Sequence, residues 1–301
     1  MKTERPRLSV VIPAYNSHET LPECLEAISR QSLEGFEVIV IDSGPSAQGA
    51  QIVGDRFPWV RLERAGQRLL PHAARNRGAS LAKADLLVFT DPDAYPAPDW
   101  LDRLLEAHHR FGGVIVGSVL CHGSRWLDRG THLAKFDMWL PGGEARGISI
   151  APTVNLLSPR GILVELGMFP GEYMIGDTVF SWRVAGAGYP ITFEPRAVVE
   201  HHHVSSWLGL LRERFQRAQE FARVRGQLEA WDRRRMIRQL AASLIPIRWA
   251  NLVVRTFRAS IQAGLLWDFV FTLPVVFSAH AAWLAGESLA LFEALVHHAR
   301  D

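Results

Sequence analysis

Two carboxylates, Asp91 and Asp93, stand two residues apart with Pro92 between them, at the end of the apolar run Leu86-Leu87-Val88-Phe89. In extended chain such residues project to one side, where their oxygens can share a hard divalent cation. A bare Asp-x-Asp is more often a turn, because short carboxylates bond their own backbone. The metal reading therefore depends on what else reaches the same place. Asp177 precedes a helical stretch, Thr178 to Ala187. There a carboxylate can cap the helix and, kept ionised by the helix's positive end, can also accept a proton. His201 and His203 flank His202 at the close of the last apolar strand. In extended chain they face one side, and imidazole can join carboxylate oxygens around manganese. The same three histidines can equally be a polar strand end.

The elements that must position these groups follow from periodicity. Leu8 to Ile12 is a β-branched strand stopped by Pro13, and Pro13 to Asn16 forms its loop. Leu21, Leu25 and Ile28 mark a helix over Glu19 to Gln31, and Phe36 to Ile41 is a second buried strand ending in Asp42-Ser43-Gly44. This strand-helix-strand order builds a parallel sheet through right-handed crossovers. Gly49 to Phe57 and Ala73 to Lys83 read as helices, the second carrying Arg75 and Asn76, and Trp59 to Glu63 as a short strand. Three apolar strands thus deliver Asn16, Asp42 and the Asp91/Asp93 pair to one edge of a sheet, where open α/β folds bind ligands. Trp100 to Arg110 is expected as a helix, and Val114 to Leu120 and Ile191 to Val199 as strands. His122 to Ile150 has no clean period and reads as a loop-rich insertion that could hold an acceptor.

The 301 residues suit one domain of about 200 residues plus an appendage. With 48% hydrophobic and 21% charged residues, the chain is not a disordered one. Its formal charge of +2 hides an asymmetry: Leu208 to Arg258 holds twelve arginines against four acids, so the remainder is net acidic. Cys24 and Cys121 make no metal-type pair and suit a reducing compartment. Met1 to Arg7 is polar, and the run after it has the length of a strand rather than a signal core.

Trp207 to Gln227 reads as an arginine-rich amphipathic helix, and Met236 to Phe257 as a second basic stretch broken at Pro246. Ile261 to Ala285 is almost uncharged and long enough for a hydrocarbon core of about 30 Å. A division into a catalytic part, 1–206, and a helical part, 207–301, follows. The arginines fit an anionic cytoplasmic membrane face, reached peripherally or by one or two hydrophobic segments. Packing of these helices on the catalytic part, or a dimer interface through them, is the competing use. Nucleic acid is not expected, because the aromatic and aliphatic residues follow helix faces rather than a binding module.

The ordered motifs LSVVIPAYN, VIVIDSG, AARNRGASLAKADLLVFTDPDAYPAPDWL, GMFPGEYMIGDTVFSWRVAGAGYP and EPRAVVEHHH resemble those of the family-2 glycosyltransferases over about Leu8 to Ser206. The resemblance implies the type A glycosyltransferase fold and transfer of a sugar, with inversion, from a nucleotide-sugar donor to an acceptor hydroxyl. The acceptor would be a lipid-linked or cell-envelope glycan. It implies that Pro13, Tyr15 and Asp42 border the nucleoside, that Arg75 helps hold the nucleotide, and that Asp91 lies near the ribose or binds metal through water. Asp93 would ligate manganese or magnesium on the diphosphate, with His201 or His203 beside it, and Asp177 would be the base. Two positions depart from the pattern: Ser43 where a second acid is common, and Gly176 where an acid often precedes the base. A scaffold that binds donor without turnover, and a sugar nucleotidyltransferase, are the alternatives. The second lacks a glycine-rich amino-terminal phosphate loop.

Overall fold

The structure, a computed structural model, describes residues 5–203 and 206–297. In chain order the elements are β1 (Leu8–Ala14), α1 (Leu21–Ser29), β2 (Phe36–Asp42), α2 (Gln48–Arg56), β3 (Arg61–Arg64), α3 (Pro71–Leu81), β4 (Leu86–Thr90), β5 (Ala94–Pro96), α4 (Trp100–Phe111) and β6 (Val114–His122). Then come α5 (Trp126–Phe136), β7 (Arg146–Gly147), β8 (Asn155–Pro159), α6 (Arg160–Glu165), α7 (Gly176–Gly186) and β9 (Ile191–His202). The helices α8 (Trp207–Leu228), α9 (Arg233–Leu244), α10 (Pro246–Gln262) and α11 (Leu266–His297) follow.

These form two compact units, one from residues up to Leu120 with Pro141–His202, the other from Cys121–Leu140 with the chain from His203 onward. The strands build one mixed sheet in the order β3-β2-β1-β4-β8-β6-β9-β5, with β7 added beside β9. The first four pair in parallel, whereas β8 runs antiparallel to β4 and β6, and β5 and β7 run antiparallel to β9. Val10, Val11, Ile12, Val38 to Ile41 and Leu87 to Phe89 are all fully buried. A parallel strand covered on both faces has no solvent side, which is why these runs are continuous rather than alternating.

The second unit is helical, with α11 packed against α5, α8, α9 and α10. The stretch His122 to Ile150 differs from a loop-rich insertion: it contains α5, whose residues Gly130 to Ala134 are all buried. The helix buries Asp128, Thr131 and His132 while Trp126 is exposed, so apolar residues do not mark its buried face and its sequence shows no clean period. The apolar run Ile261 to Ala285 is not one helix either. It breaks at Ala263-Gly264-Leu265, where Gly264 takes φ 73°, between α10 and α11. One helix, Leu266–Val296, is long and apolar enough to cross a membrane, and 44% of its apolar window is buried within the fold.

That buried side carries polar partners. Asp268 pairs with Arg129, and Glu287 accepts from Arg248 Nη2 at 2.9 Å. His280 Nε2 lies 3.0 Å from Thr256 Oγ1, which donates to Asp137 at 2.7 Å, and Asp137 also receives both Nε and Nη2 of Arg255. Burial, with the charge of Arg214 next, pushes His280 down to about 4.

Candidate active site

The carboxyl ends of β1, β2 and β4 face one edge of the sheet, as parallel pairing requires: Ala14 stands opposite Asp42, and Val11 opposite Phe89. Asp91 and Asp93 lie in the turn that leaves β4, closed by a bond from Ala94 N to Asp91 O of 3.2 Å. The short strand β5 then pairs with β9 so that Ala94 stands opposite His201, and His202 N donates to Asp93 O at 2.8 Å. This register brings His201 Nε2 to 3.5 Å from Asp93 Oδ1 and 3.9 Å from Asp91 Oδ2. One ligand atom of each of the three lies within 4.8 Å of the others.

Two carboxylate oxygens and one imidazole nitrogen are the donor set that manganese accepts, and the oxygens suit magnesium. Arg75, buried on α3, donates Nη2 to Asp91 Oδ1, while its Nε has no partner among the described residues. Cys24 stands close by, its Sγ 3.5 Å from Asp91 O. Burial, and after it the charges of Asp93 and Asp91, push its thiol up, so it stays protonated and serves as packing.

His203 does not join this group. The strand β9 ends at His202, and His203 Nε2 lies 3.1 Å from His132 Nδ1, grouped with Cys121. The two-residue repeat that would set it beside His201 holds only while the strand continues.

A cleft at the ends of β1 and β2 is lined by Ala14, Asn16, His18, Asp42, Gly44 and Leu62, among others. Asp42 is 6% exposed; its Oδ1 accepts Gly44 N at 2.9 Å, and its Oδ2 has no hydrogen bond among the described residues, only Arg64 Nε at 3.6 Å. Tyr15 stands at the exposed rim with Arg68 stacked on its ring at 4.7 Å, and Pro13 is buried within β1. Arg64, which also donates to Gly44 O and Ser46 O, is a residue that sequence pattern does not single out. It lies in a short strand with no motif of its own.

Asp177 sits in the first turn of α7 rather than at its cap, which is Ile175. Its Oδ1 accepts from Thr178 N at 2.7 Å and its Oδ2 from Thr153 N at 3.4 Å. Gly176 has a steric reason. A Cβ there would meet Pro170 O at 2.6 Å and His72 Cδ2 at 2.7 Å, so no acid fits before Asp177 while His72 fills that space.

A cleft and a carboxylate-histidine cluster at the carboxyl ends of parallel strands in this mixed sheet are the architecture of a type A glycosyltransferase. The sequence profile described as "Glycosyl transferase family 2" matches residues 9–161, and the chain belongs to that family. It is 28% identical to "Glycosyltransferase AglE" of Haloferax volcanii over 81% of each chain. It is 39% identical to "Validoxylamine A glucosyltransferase" of Streptomyces hygroscopicus subsp. jinggangensis over 39% of this chain and 29% of that one. Among solved structures it resembles the mannosyltransferase PcManGT of Pyrobaculum calidifontis, in complex with GDP-Man and Mn2+. There the TM-score is 0.54 and the identity 22%, over 99% of this chain and 81% of that one. The chain is a glycosyltransferase with a mostly parallel mixed sheet and a helical carboxyl-terminal region.

Proposed function

We propose that this glycosyltransferase is metal-dependent and inverting, moving a sugar from a nucleoside-diphosphate donor to a hydroxyl of a lipid-linked or cell-envelope glycan. The observation that carries the reading is the convergence of Asp91, Asp93 and His201 within 4.8 Å. The nucleoside lies in the cleft by Pro13 and Tyr15, where the hydrogen-bond-free Oδ2 of Asp42 accepts an N–H of the base. Arg75 steadies Asp91 toward the ribose and presents positive charge to the nucleotide. Asp93 and His201, rather than His203, would hold manganese or magnesium. When bound, that cation offsets the charge developing on the departing diphosphate. Asp177 takes the proton of the acceptor hydroxyl as its oxygen attacks the anomeric carbon. The bond to diphosphate oxygen breaks in the same displacement, which inverts the centre.

The helical unit serves a membrane surface in this reading. Leu244, Ile245 and Ile247 are exposed together at the turn between α9 and α10, and Trp267, Val270 and Phe271 are exposed at the start of α11. Arg233, Arg234, Arg238 and Arg258 are exposed on the same stretch of helices. Apolar side chains set among arginines suit the interface of an anionic leaflet, the cytoplasmic face. The ion pairs on the inner side of α11 suit a packed helix lying at that interface better than a lone span.

A thermal-shift screen of nucleotide sugars with and without manganese tests the core of this reading. Stabilisation by one donor only with metal supports it. Equal stabilisation without metal removes the metal dependence, and release of pyrophosphate in place of nucleoside diphosphate identifies a nucleotidyltransferase. The anomeric configuration of the product, read by NMR, decides inversion.

A further inference from the structure

Cys121, His132 and His203 form a second cluster of metal-type donors, one ligand atom of each lying within 4.8 Å of the others. All three belong to the helical unit. Cys121 is the penultimate residue of β6, His132 lies in the middle of α5, and His203 directly follows β9, so three separate elements converge. The imidazoles are buried, at 1% and 4% exposure, and the thiol is half-buried. His132 Nδ1 and His203 Nε2 are 3.1 Å apart, and Phe136 packs on both rings at 5.3 and 5.9 Å.

Two neutral imidazoles at that distance can bond each other, one donating and one accepting. That accounts for the pair, and the Cys121 thiol reaches His122 O at 3.8 Å. Coordination uses all three. In a tetrahedral zinc site, bonds of about 2.0–2.1 Å to nitrogen and about 2.3 Å to sulfur hold the ligand atoms about 3.3–3.8 Å apart. The nitrogens here are already near that spacing, and the sulfur lies within 4.8 Å of both. Asp128 stands one helical turn before His132 on the same face of α5. It is 4% exposed, and its Oδ1 has no hydrogen bond among the described residues. Its Oδ2 lies 3.8 Å from Arg125 Nε, and it stands outside the donor cluster itself.

We propose that Cys121, His132 and His203 bind a zinc-class divalent ion through one thiolate and two imidazoles, as a site separate from the aspartate cluster. The chemistry divides the two. Sulfur and nitrogen donors select zinc or cobalt, whereas the oxygens of Asp91 and Asp93 suit manganese or magnesium. Binding exchanges the thiol proton of Cys121, released to solvent, for a sulfur–metal bond, so affinity falls as pH drops.

The test is a cobalt(II) titration of the full chain after chelator treatment and dialysis. A thiolate-to-cobalt charge-transfer band requires a cysteine ligand, and the only other cysteine is Cys24. The expected result is a band that saturates at about one equivalent, disappears on adding zinc, and survives in Cys24→Ser and Asp93→Asn. It is lost in Cys121→Ser and weakened in His203→Ala, with circular dichroism confirming that each variant is folded. Cys121→Ser is nearly isosteric and half-exposed, so it tests the site even if His132 variants do not fold. Absence of the band from the folded parent chain, or its persistence in Cys121→Ser, overturns the proposal.

Discussion

His201 Nε2 lies 3.5 Å from Asp93 Oδ1, although the two residues belong to distant parts of the chain. The contact is made by backbone pairing: Ala94 of β5 stands opposite His201 of β9, and Asp93 O receives His202 N. The strand ladder, not a flexible loop, thus sets the spacing of the two groups. Asp93→Ala is expected to weaken manganese-dependent donor binding by more than about 100-fold, the upper end of what loss of an outer-shell partner costs. His201→Ala should weaken it by less, and His203→Ala should leave its manganese dependence intact. Calorimetric titration of the donor with and without manganese reads all three; an effect of His203→Ala equal to that of His201→Ala would return His203 to this site.

Asp177→Asn keeps the first-turn geometry of α7 but removes the proton acceptor. Transfer is expected to fall by about 10²–10⁴-fold with donor affinity unchanged. Product formation beside a donor binding curve checks it, and a folded variant with full turnover would remove the base assignment.

Gly176→Glu restores an acid often found in the family but drives a Cβ against Pro170 O and His72. Overpacking of this kind costs roughly 1–3 kcal/mol. Chemical denaturation should show the loss, and His72→Ala in the same chain should recover part of it by vacating the space.

His280 supplies a pH dependence. Its folded value, about 4, lies below the ordinary 6.5. The unfolded chain therefore takes the proton first as pH falls. Stability from this group is complete above pH 6.5, declines as pH falls through 4, and levels out below it, a total of about 3 kcal/mol. The groups facing it are Thr256, Asp137, Arg214 and Arg255. Urea midpoints measured from pH 7.5 to 4 should fall more steeply in the parent than in His280→Gln.

Ile247→Glu together with Phe271→Glu places charge on two side chains that are 69% and 68% exposed, so folding should be unaffected. Co-sedimentation with vesicles rich in anionic lipid should be lost in the double variant and weakened by salt in the parent. Unchanged sedimentation would exclude these turns as the contact surface.

The buried strands and the placement of Asp42, Asp91 and Asp93 at their ends were legible in the sequence, because strands enclosed on both faces leave uninterrupted apolar runs and a polarity change at their carboxyl ends. The helix α5 was not, since its buried face carries Asp128, Thr131 and His132 and its exposed start carries Trp126. Nor was the parting of His201 from His203: side-chain alternation can be counted from sequence, but the residue at which a strand stops is set by its partner, here β5 and its neighbours. The reason for Gly176 was equally hidden. It lies in His72, a residue far away in sequence that no local pattern connects to it. Arg64 reaches Asp42 only because β3 pairs with β2, a fact of register rather than of motif.

The pairing of Arg75 with Asp91 has a further consequence for how ligands enter. Two aspartates against one arginine give this cluster the same sign as an incoming diphosphate. Donor and cation must then lower each other's cost of entry, and thermodynamic reciprocity makes the two effects equal: the factor by which manganese tightens the donor is the factor by which the donor tightens manganese. Titrations in the two orders should close the same cycle, and the size of that shared factor measures how much of the donor's hold on the protein is carried by the ion it travels with.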